Sequence, residues 1–84
     1  MLNKEILKKK ITFRSTHRGT KELDLLLGTF VKKNIDNLNE DDLNDLEALV
    51  NNDDEILLKW YYDDQGHNLV PVNKVSQMLK KFKM

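Results

Sequence analysis

Apolar residues recur at helical spacing along most of this sequence. The clearest stripe follows the spacing i, i+3, i+4, i+7, i+8 and consists of Leu23, Leu26, Leu27, Phe30 and Val31. This is the spacing of one buried helix face, so the stripe predicts a helix that begins near Gly19 or Thr20. No segment shows the period-two alternation of a half-buried strand. The whole pattern predicts an all-α protein, a compact five-helix bundle formed by a single domain over residues 1–84.

Capping residues define the first and third predicted helices. Asn3 can cap the first helix, with Leu2 and Leu7 at the positions of a hydrophobic staple. This helix is expected to end within residues 15–18. Asn39 can cap the third helix, because acidic residues follow it at the positive end of the helix dipole. The predicted core face of the third helix comprises Leu43, Leu46, Leu49 and Val50.

The fourth and fifth predicted helices flank the segment DDQGHN. The stretch NNDDE is expected to end the third helix and to cap the fourth, in which Trp60 lies inside and Tyr62 is more exposed. Gly66 is the expected left-handed residue after the fourth helix. Pro71 suits the first turn of a fifth helix. The residues expected to be buried by the fifth helix are Val72, Val75, Met78, Leu79 and Phe82.

Composition excludes several classes of function. The chain has no cysteine, which removes disulfides, thiolate nucleophiles and cysteine-based zinc sites. His17 and His67 lie too far apart in sequence for a local metal motif, so no metal site is predicted. No apolar run approaches the ~20 residues of a membrane span, and the N-terminal sequence lacks the apolar core of a secretory signal. The cytoplasm is therefore the expected location.

No catalytic residues are predicted. Ser15, Thr16 and His17 lie together, but adjacent residues do not face one another on a helix. A chain of 84 residues can also bury only a modest core, which argues against a deep substrate cavity. We therefore expect a protein that is not an enzyme.

Charge is unevenly distributed, although the formal net charge is zero. Residues 1–34 carry nine basic and three acidic side chains, whereas residues 35–67 carry one basic and eleven acidic ones. This asymmetry fits either attraction between helices or a basic face for an acidic partner. The stretch KKKITFRSTHR, with Phe13 as a stacking surface, leaves open a nucleic-acid-associated or antitoxin-like regulatory protein. Against that alternative, the acidic middle third would repel phosphate.

The stretch FRSTHRGTKELD contains both arginines of the chain, Arg14 and Arg18, beside Gly19. Arginine can bind carboxylates and carbonyls bidentately, which lysine cannot. One interpretation is local: Arg18 pairs with Glu22 four residues later, and Gly19 permits a tight turn. The other is a polar docking patch in which Gly19 leaves room for the backbone of a partner. The residues alone do not decide between these interpretations.

The same stretch resembles the signature of the succinate dehydrogenase assembly factor family, the small FAD assembly factors of bacteria and mitochondria. The Arg-Gly-x-x-Glu motif of the family is matched by Arg18, Gly19 and Glu22, and Asp24 follows. The extended form HRGTKELDLLLGTF is similar to the alphaproteobacterial branch. Downstream, LNEDDLNDLEALV and DDEILLKW resemble the third and fourth helices of the family. Thr16 departs from the pattern, since relatives often carry a large aromatic or basic residue there.

The resemblance implies a five-helix protein that binds the flavoprotein subunit of succinate dehydrogenase, and in bacteria often that of fumarate reductase. Its implied role is to promote covalent attachment of FAD to a histidine of that subunit by alignment, while the chemistry belongs to the client and its flavin. No Gly-rich phosphate loop is present, so we expect no stable FAD site in the isolated chain. We also expect the free chain to be a monomer. The implied partner-binding residues are Arg14, His17, Arg18, Gly19, Glu22 and Asp24.

Overall fold

The computed structural model describes residues 4–62 and 70–82. These residues form five α-helices and no strand, which confirms the predicted all-α, five-helix architecture. A short 3₁₀ turn, Ile35–Asn37, continues the second helix. The helices are α1 (Lys4–Thr16), α2 (Lys21–Asn34), α3 (Glu40–Val50), α4 (Asp54–Tyr62) and α5 (Lys74–Lys81). The Cα radius of gyration is 11.9 Å, close to the ~12 Å expected of a compact chain of this length.

Local side-chain caps explain where α2 and α3 begin. Thr20 precedes α2, and its hydroxyl accepts a hydrogen bond from the Leu23 N–H at 3.3 Å. Asn39 precedes α3, and its side-chain oxygen accepts from the Asp42 N–H at 2.8 Å. Each cap satisfies one of the backbone N–H groups that have no partner in the first helical turn. The predicted start of α2 and the predicted Asn39 cap are confirmed.

The core lies where the helical stripes predicted it. All five residues of the α2 stripe and all four of the α3 core face are buried, as are Leu7 and Ile11 of α1. Helix α1 packs against α2 and α3, and α5 packs against α3. Trp60 is 5% exposed and Tyr62 is 60% exposed, which confirms the prediction for both aromatic residues.

The fifth helix begins later than the sequence suggested. Asn73 caps α5 through a reciprocal capping box with Ser76, with Asn73 Oδ1 accepting the Ser76 N–H at 2.8 Å. Because this cap fixes the first helical residue at Lys74, Pro71 lies before the helix rather than in its first turn. Val72 likewise precedes the buried stripe and is 74% exposed, so its predicted burial was wrong.

The remaining positions of the α5 stripe are buried as predicted, but to different degrees. Val75 and Leu79 are buried, whereas Met78 and Phe82 are partly buried against the core. Val70, which the sequence pattern did not assign to the core, is also buried. The predicted Asn3 cap and the predicted left-handed Gly66 lie outside the described residues.

Candidate functional site

The Arg18 side chain crosses from the α1–α2 turn to the junction of α3 and α4. Its Nε donates to Asp54 Oδ1 at 2.8 Å, which forms an ion pair between residues 36 positions apart. Its Nη1 donates to the Val50 carbonyl at 2.5 Å, and its Nη2 to the Asn52 carbonyl at 2.6 Å. Only 7% of the Arg18 side chain is exposed, so these contacts are largely shielded from water.

Arg18 completes the C-terminal cap of α3. The last carbonyls of an α-helix have no partner inside the helix and need donors from elsewhere. The Asn52 side chain donates to the Ala48 carbonyl at 3.2 Å, and the Asn52 N–H donates to the Leu49 carbonyl at 3.2 Å. The carbonyl of Val50 accepts a hydrogen bond from the guanidinium of Arg18. A planar group with several N–H donors can meet two carbonyls and a carboxylate at once, which a lysine ammonium cannot do in this arrangement.

Gly19 and Asp24 belong to the same network. The Gly19 N–H donates to Asp54 Oδ2 at 2.6 Å, and the Arg18 N–H donates to Asp24 Oδ1 at 2.6 Å. A Cβ atom at Gly19 would lie 2.7 Å from Asp54 Oδ2, closer than such atoms approach each other. The φ angle of Gly19 is not positive. Glycine is therefore favoured here because any larger residue would displace the Asp54 carboxylate, and not because the backbone is left-handed.

Glu22 does not pair with Arg18, so the local interpretation of the motif as an Arg18–Glu22 pair is wrong. Glu22 instead accepts a hydrogen bond from the hydroxyl of Tyr62, at the end of α4, and both side chains are exposed. This hydrogen bond to the Glu22 carboxylate, with smaller contributions from burial and charge, raises the pKa of Tyr62 above its ordinary value.

His17 and Arg14 lie on the solvent side of the turn. The ring of His17 stacks on Phe13, with centroids 3.9 Å apart and planes 16° apart, and its Nδ1 donates to the Phe13 carbonyl at 2.8 Å. The Arg14 side chain lines both an open groove between α1 and α3 and the polar cleft around Arg18 and Gly19. Its carbonyl accepts from Arg18 Nη1 at 3.3 Å.

The predicted site residues therefore separate into two groups. Arg18 and Asp24 are partly buried, whereas Arg14, His17, Gly19 and Glu22 are exposed. Sequence reasoning does not connect Asp54 or Tyr62 to the turn. It predicts Asp54 only as part of a capping stretch and Tyr62 only as an exposed aromatic residue of the fourth helix.

The described residues offer no metal centre or membrane helix. Among residues 4–62 and 70–82, no three His, Asp or Glu side chains are grouped so that they could hold a metal ion. Within the same part of the chain, no helix is both long and apolar enough to cross a bilayer.

A family model described as "Flavinator of succinate dehydrogenase" (Sdh5) matches residues 9–83, which is most of the chain. The chain belongs to this family. The matched range includes the residues of the Arg18 network and of the Glu22–Tyr62 contact. The resemblance found in the Arg-Gly-x-x-Glu stretch is confirmed.

Individual members of the flavinator family are similar over much of this chain. The FAD assembly factor SdhE of Acetobacter pasteurianus is 34% identical over 74 residues, covering 88% of this chain and 65% of its own length. The mitochondrial succinate dehydrogenase assembly factor 2 of Dictyostelium discoideum is 41% identical over 56 residues, covering 67% and 40%. That of Arabidopsis thaliana is 32% identical over 78 residues, covering 92% and 42%. The chain thus spans less than two thirds of these relatives, and no solved structure matches it significantly.

Proposed function

We propose that this chain is an assembly factor that binds the flavoprotein subunit of succinate dehydrogenase and promotes covalent attachment of FAD to a histidine of that subunit. The observation that carries the proposal is the match of the flavinator family model to residues 9–83. The names of the relatives, FAD assembly factor and succinate dehydrogenase assembly factor 2, support the same role. The bacterial origin of one relative supports a bacterial cytoplasmic location as part of the proposal.

In this proposal the chain is not an enzyme and acts by positioning its client. Holding the reacting histidine and the flavin in line lowers the entropic part of the barrier, and the flavin supplies the chemistry. The chain need only bind the aligned conformation of the client more tightly than other conformations. No residue of the chain is assigned a catalytic step, and FAD stays with the client.

The docking site in this proposal is the exposed surface at the α1–α2 turn, and the Arg18 network holds that turn in place. Arg18 links the α1–α2 turn to the end of α3 and to Asp54 at the start of α4. A surface that is already fixed before binding loses less conformational entropy when the partner arrives. We infer that Arg18 and Asp24 act mainly by holding the turn, whereas the exposed Glu22 and its neighbour Tyr62 contact the client directly.

The test is covalent flavin fluorescence of the client subunit, measured in a denaturing gel after co-expression with this chain. Glu22→Ala should reduce the covalent flavin about tenfold, the loss expected when one charge-assisted hydrogen bond at a protein interface is removed. The melting temperature should hardly change, because exposed polar contacts contribute little to stability. The matched control is Asp41→Ala, since Asp41 is also exposed and also the second residue of its helix.

Three results would contradict this proposal. The first is a client that acquires no more covalent flavin with the wild-type chain than without it. The second is an equal effect of Glu22→Ala and Asp41→Ala, which would remove Glu22 from the docking site. The third is a stoichiometric yellow complex of FAD with the chain purified alone, because FAD is proposed to belong to the client.

A further inference from the structure

Helix α1 presents two large apolar side chains to solvent. Ile6 is 48% exposed and Phe13 is 59% exposed. They are seven residues apart, so they lie on the same side of the helix, opposite the buried Leu7 and Ile11. Burial of such side chains is favourable, so a partner that covered them would gain apolar contact.

Cations without partners surround these apolar side chains. Lys9, Lys10 and Arg14 are exposed, and within the described part of the chain their side chains make no salt bridge or hydrogen bond. Lys8, on the inner side of α1, differs because it pairs with Asp36 at 3.1 Å. The lysine on the inner side of α1 therefore pairs within the chain, whereas the exposed cations on its outer side can pair with a binding partner.

Phe13 lines an open groove between α1 and α3. The groove has a volume of about 540 Å³, and Lys9, Lys10 and Arg14 line its α1 side. Its opposite side is formed by Glu47 and Asn51 of the α3 end. The groove continues into the cleft around Arg18 and Gly19, because Arg14 and Asn51 line both. The α1 surface, defined as Ile6, Lys9, Lys10, Phe13 and Arg14, is thus an extension of the candidate site.

We propose that the α1 surface binds an acidic segment of the client flavoprotein that also carries an apolar side chain. The carboxylates of the segment pair with Lys9, Lys10 and Arg14, and its apolar side chain packs against Phe13 in the groove. This inference rests on the proposed function, since it names the chemistry of the client at that site. It assigns a role to the basic stretch of α1, which lies outside the Arg-Gly-x-x-Glu motif.

Charge favours an acidic peptide over the other anionic partners. Glu47 lies on the far side of the groove. A nucleic acid carries a charge at every phosphate, and phosphates bound along the α1 side would lie close to the Glu47 carboxylate. A peptide segment can place its few carboxylates on the α1 side alone. A lipid surface would likewise need a broader cationic face than one bordered by acidic residues.

The experiment measures the affinity of the full chain for the purified, non-flavinylated client subunit at 50 and 300 mM NaCl. Lys9→Gln combined with Lys10→Gln should weaken binding about tenfold at the lower salt concentration, and less at the higher one, because salt screens exposed charges. The matched control is Lys59→Gln combined with Lys81→Gln. These exposed lysines of α4 and α5 are outside the α1 surface, and we expect a change below twofold.

Phe13 separates the apolar contribution from the electrostatic one. Phe13→Ala should weaken binding about tenfold at both salt concentrations, since apolar contact is not screened. Because Phe13 also stacks on His17, Phe13→Leu is the second variant. Leucine keeps the apolar contact without the ring, so we expect its affinity within about threefold of wild type.

The outcomes distinguish this inference from the proposed function. If the wild-type chain binds the client, but the double lysine variant and Phe13→Ala bind equally well, the α1 surface is overturned and the proposed function stands. If the wild-type chain does not bind the client at all, both fail. Competition by a 20-base-pair DNA duplex or by phosphatidylglycerol vesicles, lost in the double lysine variant, would assign the surface to nucleic acid or lipid and overturn the acidic segment.

Discussion

Arg18→Ala tests whether the guanidinium of the Arg-Gly-x-x-Glu motif is a structural element of this chain. The substitution removes the ion pair to Asp54 at 2.8 Å and the donors to the carbonyls of Val50 and Asn52 at 2.5 and 2.6 Å. The Arg18 side chain is 7% exposed and that of Asp54 is 25% exposed, so the pair is mostly shielded from water on the Arg18 side. Removing one partner of a buried, hydrogen-bonded ion pair typically costs about 3–5 kcal/mol.

Such a loss is large for a domain of this size. Small domains are stable by about 5–15 kcal/mol, and 1 kcal/mol shifts the melting temperature of a 60–100-residue domain by about 4–8 °C. We therefore expect Arg18→Ala to lower the melting temperature by about 12–40 °C. Arg18→Lys should recover less than half of the loss, since one ammonium cannot replace a fork that serves two carbonyls and a carboxylate.

The assay is thermal and urea unfolding followed by far-ultraviolet circular dichroism. Arg14→Ala is the matched control, because Arg14 is the other arginine and its side chain is exposed. Its substitution should change the free energy of unfolding by less than about 0.5 kcal/mol. An Arg18→Ala variant that melts within about 3 °C of wild type would refute the structural role of the guanidinium.

Three further predictions concern other parts of the molecule. Gly19→Ala should destabilise the chain by about 1–3 kcal/mol, because the new Cβ would lie 2.7 Å from Asp54 Oδ2. Urea unfolding should show a much smaller loss when the same substitution is made in an Asp54→Ala variant. Equal losses in the two backgrounds would contradict this reasoning. Phe30→Ala should lower the free energy of unfolding by about 3–5 kcal/mol, since Phe30 is 1% exposed, and a loss below about 1 kcal/mol would be inconsistent with its place in the core. Glu22→Gln should lower the raised pKa of Tyr62 towards the ordinary value of about 10, as followed by tyrosinate absorbance with Tyr62→Phe as reference. Any stability that Tyr62 gains from this hydrogen bond is present below about pH 10 and is lost as the pH rises through its raised pKa.

The sequence by itself determined the elements of this fold. The α2 stripe is buried along its whole length, and Asn39 caps α3 as predicted. Trp60 is inside and Tyr62 outside, as predicted from their places on α4. These properties are local, because the direction of each side chain on a helix follows from its position in the turn. The start of α5 was misplaced because two local signals competed, and the Asn73 cap prevailed over Pro71.

The tertiary structure alone decided how the motif residues are used. The sequence, through its resemblance to a family, indicated Arg18, Gly19, Glu22 and Asp24, but not what each of them contacts within the chain. Arg18 meets Asp54 across 36 residues, and the Tyr62 hydroxyl reaches Glu22 across 40. Periodicity gives the buried face of each helix but not the angle and register at which two helices pack. Whether the end of one helix lies beside a guanidinium from another depends on that packing, and so does the division of the motif into a shielded network and an exposed surface.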